Sequence, residues 1–258
     1  MSVAACAELV RRGDPDRFLA AMAAPGAARA RLFPLYAFNL EVARAPWVTQ
    51  EPLIAEMRLQ WWRDALAEIA AGAPPRAHEV TRPLAEVLRT ARIPVQLLDA
   101  LVAARRWDIA GEPFPDAAAL AAHLDATGGG LMWAAALALG AGPEAEPAVR
   151  DLARAGALAA WLRAAPALAA AGRAAWPDPA PAAVAALARA GLGWMDSARA
   201  ARGTVPRRAQ PALLTAWQAR PLLRQAARDP GAVVEGRLGL SEAARRGRLL
   251  WQSLTGPF

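Results

Sequence analysis

Phe33-Pro34-Leu35-Tyr36-Ala37-Phe38-Asn39-Leu40 is the stretch from which the fold can be read. Phe33, Ala37 and Leu40 recur at i, i+4 and i+7, which places them on one face of a helix. Pro25-Gly26 breaks the chain before this segment and Pro46 ends it. Working outward, Asp14-Pro15 reads as an N-cap followed by proline at the first helical position, opening a helix that runs through Phe18 to about Ala23. Downstream, a helix starts near Pro52, and its apolar stripe is Leu59, Trp62, Leu66 and Ile69, with Met57 and Trp61 beside it. Gly72 to Pro75 is a turn. Shorter helices are expected around 83–90 and 94–106, and a loop over Gly111 to Pro115. A long helix capped by Asp116 runs towards Gly140, with an interruption at Gly128-Gly129-Gly130. Helix resumes from about Pro143 to Leu162 and is disturbed at Pro166. Two more helices lie near 182–202 and 211–228, and a last one is capped by Ser241 and ends near Leu254. No strand pair, low-complexity linker or internal repeat appears, so residues 1–258 are expected to form a single all-α domain.

Composition agrees with this reading. Hydrophobic residues make up 55% of the 258, which excludes a disordered chain, and the alanine and leucine bias favours helix over strand. All 30 basic residues are arginine, and the net charge is +7. Such a balance suits nucleic acid, anionic lipid or phosphorylated ligands, or it is a solvated arginine surface. No zinc-finger, RNA-binding or helix-turn-helix signature accompanies the arginines, so no nucleic-acid partner is expected. The single cysteine, Cys6, excludes an intramolecular disulfide and fits a reducing compartment; it is expected at a frayed end. Charges at Glu8, Arg11, Arg12 and Asp14 argue against a signal peptide. The longest apolar candidate, Leu152 to Trp176, is interrupted by three arginines, so no membrane span is expected. The reading is a cytoplasmic protein that touches the inner face of a membrane without crossing it.

Signals for chemistry are sparse. His78 and His123 lie in different segments without metal-ligand spacing and are expected at the surface or at helix caps. Gly128-Gly129-Gly130 follows no strand, so close helix packing or a kink is expected rather than a phosphate-cradling loop. Asp64 and Glu68, at i and i+4, could share a metal on one helix face or simply be solvated. Arg245, Arg246 and Arg248 precede Leu249, Leu250, Trp251 and Leu254. That segment either meets an anionic surface weakly or docks its apolar face onto the bundle.

Leu35-Tyr36-Ala37-Phe38-Asn39 resembles the segment that opens the first active-site helix of squalene and phytoene synthases. In that family the segment runs on into Asp-Asp-x-x-Asp, whose aspartates fall here on Ala43, Arg44 and Trp47. Leu162-Arg163-Ala164-Ala165-Pro166, with Gly172-Arg173 and Trp176-Pro177, resembles the second motif region, and its acidic positions fall on Ala164, Ala167 and Leu168. Thr127-Gly128-Gly129 is similar to the kink between them. The family ionises prenyl diphosphates with carboxylate-held magnesium, and alanine and leucine cannot ligate a hard cation. A non-catalytic branch of the superfamily, which includes an assembly factor of respiratory complex I, is more similar still. Its motifs resemble Ala37-Phe38-Asn39-Leu40-Glu41, Arg58-Leu59-Gln60-Trp61-Trp62, Leu162 to Pro166 and Thr204-Val205-Pro206.

The resemblance implies an isoprenoid-synthase-type helical bundle around a central cavity, with no cofactor and no metal. Phe33, Tyr36, Asn39, Arg44, Gln60, Trp61, Thr127 and Arg163 are the candidates to border that cavity, against the alternative of plain core packing. Arg44 and Arg163 are the candidates to bind an anion there. The implied function is assembly of a membrane-bound respiratory complex through contacts with its subunits or intermediates. The alternatives are a prenyltransferase acting on prenyl diphosphates and a carrier of an apolar lipid.

Overall fold

The computed structural model describes residues 2–49 and 51–258. Helix accounts for 77% of the described residues, and no strand occurs among them. In chain order the helices are α1 (Val3–Gly13), α2 (Pro15–Met22), α3 (Gly26–Arg44), α4 (Pro52–Ala70), α5 (Thr81–Ala91), α6 (Val95–Ala104) and the short α7 (Trp107–Ala110). They continue with α8 (Ala117–Leu124), α9 (Gly130–Ala138), α10 (Glu146–Ala170), α11 (Pro181–Ala200), α12 (Gln210–Leu213), α13 (Ala219–Arg228), α14 (Gly231–Val234) and α15 (Glu242–Thr255). A widened π turn, Asp125–Gly129, joins α8 to α9.

Local chemistry sets most of the boundaries. The Asp14 side chain accepts from the Arg17 amide at 2.9 Å, and Pro15 follows it, so one residue closes α1 and starts α2. The Asp116 carboxylate and the Ser241 hydroxyl cap α8 and α15 in the same way.

Two helices form the centre. Residues 32–40 of α3 are all buried, as are residues 130–136 of α9, so neither helix keeps a polar face within these spans. Around them α1 packs on α3, α6 on α9, and α10 on α9, α11 and α13. Replacing a fully buried core leucine such as Leu35 or Leu158 by alanine would cost about 2–5 kcal/mol at this kind of site.

Three expectations are corrected. Cys6 is not frayed: α1 carries it fully buried into the core, and burial pushes its thiol up to about 11. Pro166 does not interrupt α10, which runs on to Ala170; a single lost amide donor near a helix end is tolerated there. The helix expected over 211–228 splits into α12, the tight turn Leu214–Ala216, and α13. The split lets Trp217 bury against Ala20 and Leu214, a packing gain that overrides helix propensity.

Candidate functional site

A cavity of about 360 Å³ lies between α3, the π turn, α10 and the start of α13. Its wall follows the helical period. Tyr36, Asn39 and Ala43 of α3 and Trp47 just after it face inward at spacings of three, four and four. Opposite them stands a smooth row from α10, Ala153, Ala157, Ala160, Ala164 and Leu168. The small side chains of that row keep the space open. The π turn adds Thr127, whose hydroxyl donates to the His123 carbonyl at 2.8 Å. It also adds Gly128, where a Cβ would stand 2.6 Å from that of Ala157.

Charge gathers at two poles. At one, Asp14 pairs with Arg17, and Asp16 accepts from Arg163 at 3.0 Å and also from Arg245. Burial raises the Asp16 carboxyl, but hydrogen bonds from Gln218, Arg163 and Arg245, with the Arg163 charge, outweigh it and hold its pKa below the usual value. The Tyr36 hydroxyl nearby is buried without a partner among the described residues, and burial raises its pKa. At the other pole Asp108 is 3.3 Å from Arg105, and burial still raises its pKa against that pairing. His123 lies beside them, enclosed by Trp107, Phe114 and Trp161 at ring-centroid distances of 5.7, 5.2 and 5.4 Å. Burial, assisted by Arg105, lowers its pKa to about 4, so it is neutral at pH 7. Trp47 is covered by the Arg173 guanidinium, 3.6 Å from the ring centroid, a stacked cation on an aromatic face.

This arrangement can be set beside known proteins. The family model for squalene/phytoene synthase matches residues 10–179, about two thirds of the chain. The chain belongs to the squalene/phytoene synthase family. A dehydrosqualene synthase crystal structure superposes with a TM-score of 0.83 at 14% identity, covering 98% of this chain and 95% of that one. A squalene synthase from Alicyclobacillus acidocaldarius gives 0.76 at 16% identity, covering 92% and 95%. At these identities the likeness shows the fold, an isoprenoid-synthase helical bundle. In sequence the chain is similar to human NADH dehydrogenase (ubiquinone) complex I assembly factor 6, 34% identical over 70 residues. It is also similar to the Drosophila melanogaster homologue, 33% identical over 85 residues. These stretches are 27% and 33% of this chain, and they span only 21% and 25% of the two relatives.

Family membership raises the question of magnesium, and the residues present do not fit it. Of the six positions that correspond to the family's acidic residues, Ala43, Trp47, Ala164 and Leu168 do face the cavity, but all four are apolar. The carboxylates that do line it, Asp14, Asp16 and Asp108, are each paired with arginine. No group of three or more potential ligands that could hold a metal occurs among the described residues. Asp64 and Glu68 are not available either, since Arg76 lies 3.8 and 2.7 Å from them.

Of the sequence candidates, Tyr36, Asn39, Thr127 and Arg163 line the cavity. The other four are corrected. Phe33 is turned into the core against Phe18. Arg44 lies one position beyond the inward stripe, so it is exposed beside Glu41 at 3.7 Å. No α4 side chain lines the cavity, because α4 buries Leu59, Trp62 and Leu66. Gln60 is left outside, donating to Asp64, and Trp61 packs on His78 under Arg76. His123, expected at the surface or at a helix cap, lies in the last turn of α8 with its ring buried. Sequence reasoning also missed Trp47, Arg17, Arg105 and Asp108. The helical period running from Tyr36 was a signal for Trp47, and the three-residue spacings of Asp14–Arg17 and Arg105–Asp108 were signals for the pairs.

Proposed function

We propose that this chain is a non-enzymatic assembly factor for a membrane-bound respiratory complex, complex I, and that it works at the cytoplasmic face of the membrane. The observation that carries the reading is the wall of the cavity. Ala43, Trp47, Ala164 and Leu168 stand inside it where the family's chemistry needs carboxylates, and no hard cation is ligated by such side chains. The similarity to complex I assembly factor 6 supports the assembly role. In this reading residues 1–258 act as one domain, whose outer surface meets subunits or intermediates of the complex. No helix among the described residues is long and apolar enough to cross a membrane, in keeping with a factor that approaches the membrane from one side. Deleting the gene in its host tests the proposal. Native gels of the membranes should show loss of assembled complex I, and capture of the tagged chain should enrich complex I subunits. Normal complex I levels in the deletion strain would overturn it.

A second reading is a carrier of an apolar lipid, favoured by a cavity bounded by alanines on one side and by Tyr36, Asn39, Thr127 and Arg163 at its polar points. Mass spectrometry of organic extracts from the purified chain should then find one lipid in near-stoichiometric amount. Extracts without lipid remove that reading and leave the first intact.

A further inference from the structure

Charge is divided unevenly along this chain. Residues 1–180 hold 18 arginines against 19 acids, whereas residues 181–258 hold 12 arginines against four. The excess positive charge therefore belongs to α11–α15, outside the stretch that matches the family model.

Within this region one groove carries arginines with no acid beside them. It lies between the C-terminal end of α15 and the turns Arg202–Thr204 and Arg207–Ala209. Arg199, Arg202 and Arg207 line it, and no acidic residue does. All three are exposed, and none forms an ion pair or a side-chain hydrogen bond among the described residues. The adjacent helix is turned inside out relative to its sequence pattern. Its inner face, at i, i+3, i+4 and i+7, is Arg245, Arg248, Leu249 and Gln252. Arg245 is held by Asp16, Arg248 by the Trp217 carbonyl, and Leu249 by the Ala20–Leu214–Trp217 cluster. Leu250, Trp251 and Leu254 are thereby left facing out, 63, 67 and 76% exposed. The helix thus docks onto the bundle through this mixed face, and not through Leu250, Trp251 and Leu254 as one of the two alternatives for this segment had it.

We propose that this face, Arg199, Arg202 and Arg207 together with Leu250, Trp251 and Leu254, is a docking surface for an anionic lipid bilayer. Unpaired arginines are attracted to the surface potential of acidic headgroups. Tryptophan and leucine beside them enter the headgroup–acyl boundary, and tryptophan favours that depth. A nucleic-acid backbone satisfies the arginines but gives no return for three exposed apolar side chains, which is why the bilayer is the better fit. Binding is weak and reversible, as a few charges and a few apolar groups dictate. The inference goes beyond the assembly reading and does not depend on it, because vesicle binding is a property of the chain alone.

Flotation of the full chain with vesicles tests it. Binding is expected to phosphatidylcholine vesicles containing phosphatidylglycerol, to be much weaker with phosphatidylcholine alone, and to fall as salt rises from about 0.05 to 0.5 M. The triple variant Arg199→Ser, Arg202→Ser, Arg207→Ser should bind about a hundredfold more weakly. Trp251→Ala with Leu254→Ala should bind about tenfold more weakly, with unchanged circular dichroism. These five side chains carry little of the fold, so either variant suffices if the other is unstable. Equal binding to neutral and acidic vesicles overturns the proposal, as does wild-type binding by the variants. Binding to a DNA duplex without binding to vesicles overturns it in favour of nucleic acid.

Discussion

Arg163 of α10 donates to Asp16 of α2 at 3.0 Å, across 147 positions of sequence. The same carboxylate accepts from Arg245 of α15, so one acid ties three helices together at a pole of the cavity. The Arg163 guanidinium is thus already committed to a carboxylate. An acid with a lowered folded-state pKa stabilises the fold above its unfolded value of about 3.9. That stabilisation is lost as pH falls through the folded value. Asp16→Asn should therefore cost about 1–2 kcal/mol at pH 7, discounted for partial exposure, and close to nothing at about pH 2. Urea midpoints of the two proteins at both pH values check this, and an equal loss at both would assign the effect to packing instead.

Gly128 sets the separation of the π turn from α10. A Cβ there would lie 2.6 Å from the Ala157 Cβ and 3.5 Å from the Ala153 carbonyl oxygen, so two helices would have to part. Gly128→Ala is expected to cost about 1–3 kcal/mol. Gly193, inside α11, has nothing within 4 Å of its added Cβ. Gly193→Ala should raise stability by about 0.5–1 kcal/mol, because the unfolded chain loses freedom. Thermal melts of the pair measure the contrast, and similar behaviour of the two variants would contradict it.

The apolar wall leads to an expectation about chemistry. Incubation with farnesyl or geranylgeranyl diphosphate and magnesium should release no pyrophosphate above background, since nothing in the cavity can neutralise the leaving group through a metal. Robust turnover would overturn the non-enzymatic reading. If Asp64→Ala or Glu68→Ala then abolished it, the i, i+4 carboxylates now held by Arg76 would be the site.

The helices were legible where the chain carries its own punctuation. Asp14-Pro15, Pro25-Gly26 and Ser241 fix boundaries through local hydrogen bonds and restricted backbone angles, effects that need no tertiary context. Helix α1 was missed because Val3–Gly13 has no breaker before it and its cap, Ser2, looks ordinary. The cavity was legible where period and motif agreed, at Tyr36 and Asn39. It was misread at Gln60 and Trp61, where the motif resemblance disagreed with the apolar stripe Leu59, Trp62 and Leu66 that α4 buries. Of the second pole only the three-residue spacing of Arg105 and Asp108 was readable. Arg105, Asp108, His123 and Trp161 come from four separate helices or turns and meet only through packing, and the burial that makes His123 unusual is a property of that meeting. The exposure of Trp251 has the same origin, since nothing in residues 242–255 says that Asp16 will claim Arg245.

His123 provides the pH test of that pole. Its pKa falls from about 6.5 unfolded to about 4 folded, through burial first and the Arg105 charge second. Between these values the unfolded chain binds the proton and the folded chain does not, so stability falls as pH is lowered through this window. From pH 7 to pH 5 the loss from this residue is about 2 kcal/mol. The facing groups that matter are Arg105, whose charge disfavours a protonated His123, and Asp108, whose raised pKa acts in the opposite sense: acidification relieves the cost of its buried charge. His123→Phe keeps an aromatic ring against Trp107, Phe114 and Trp161 while removing the titration. Its stability should change with pH by about 2 kcal/mol less than that of the parent over the same interval. Denaturation curves at pH 7 and 5 measure the difference. Parallel pH profiles for the two proteins would mean that His123 is hydrated and titrates normally, and that the second pole of the cavity is open to water.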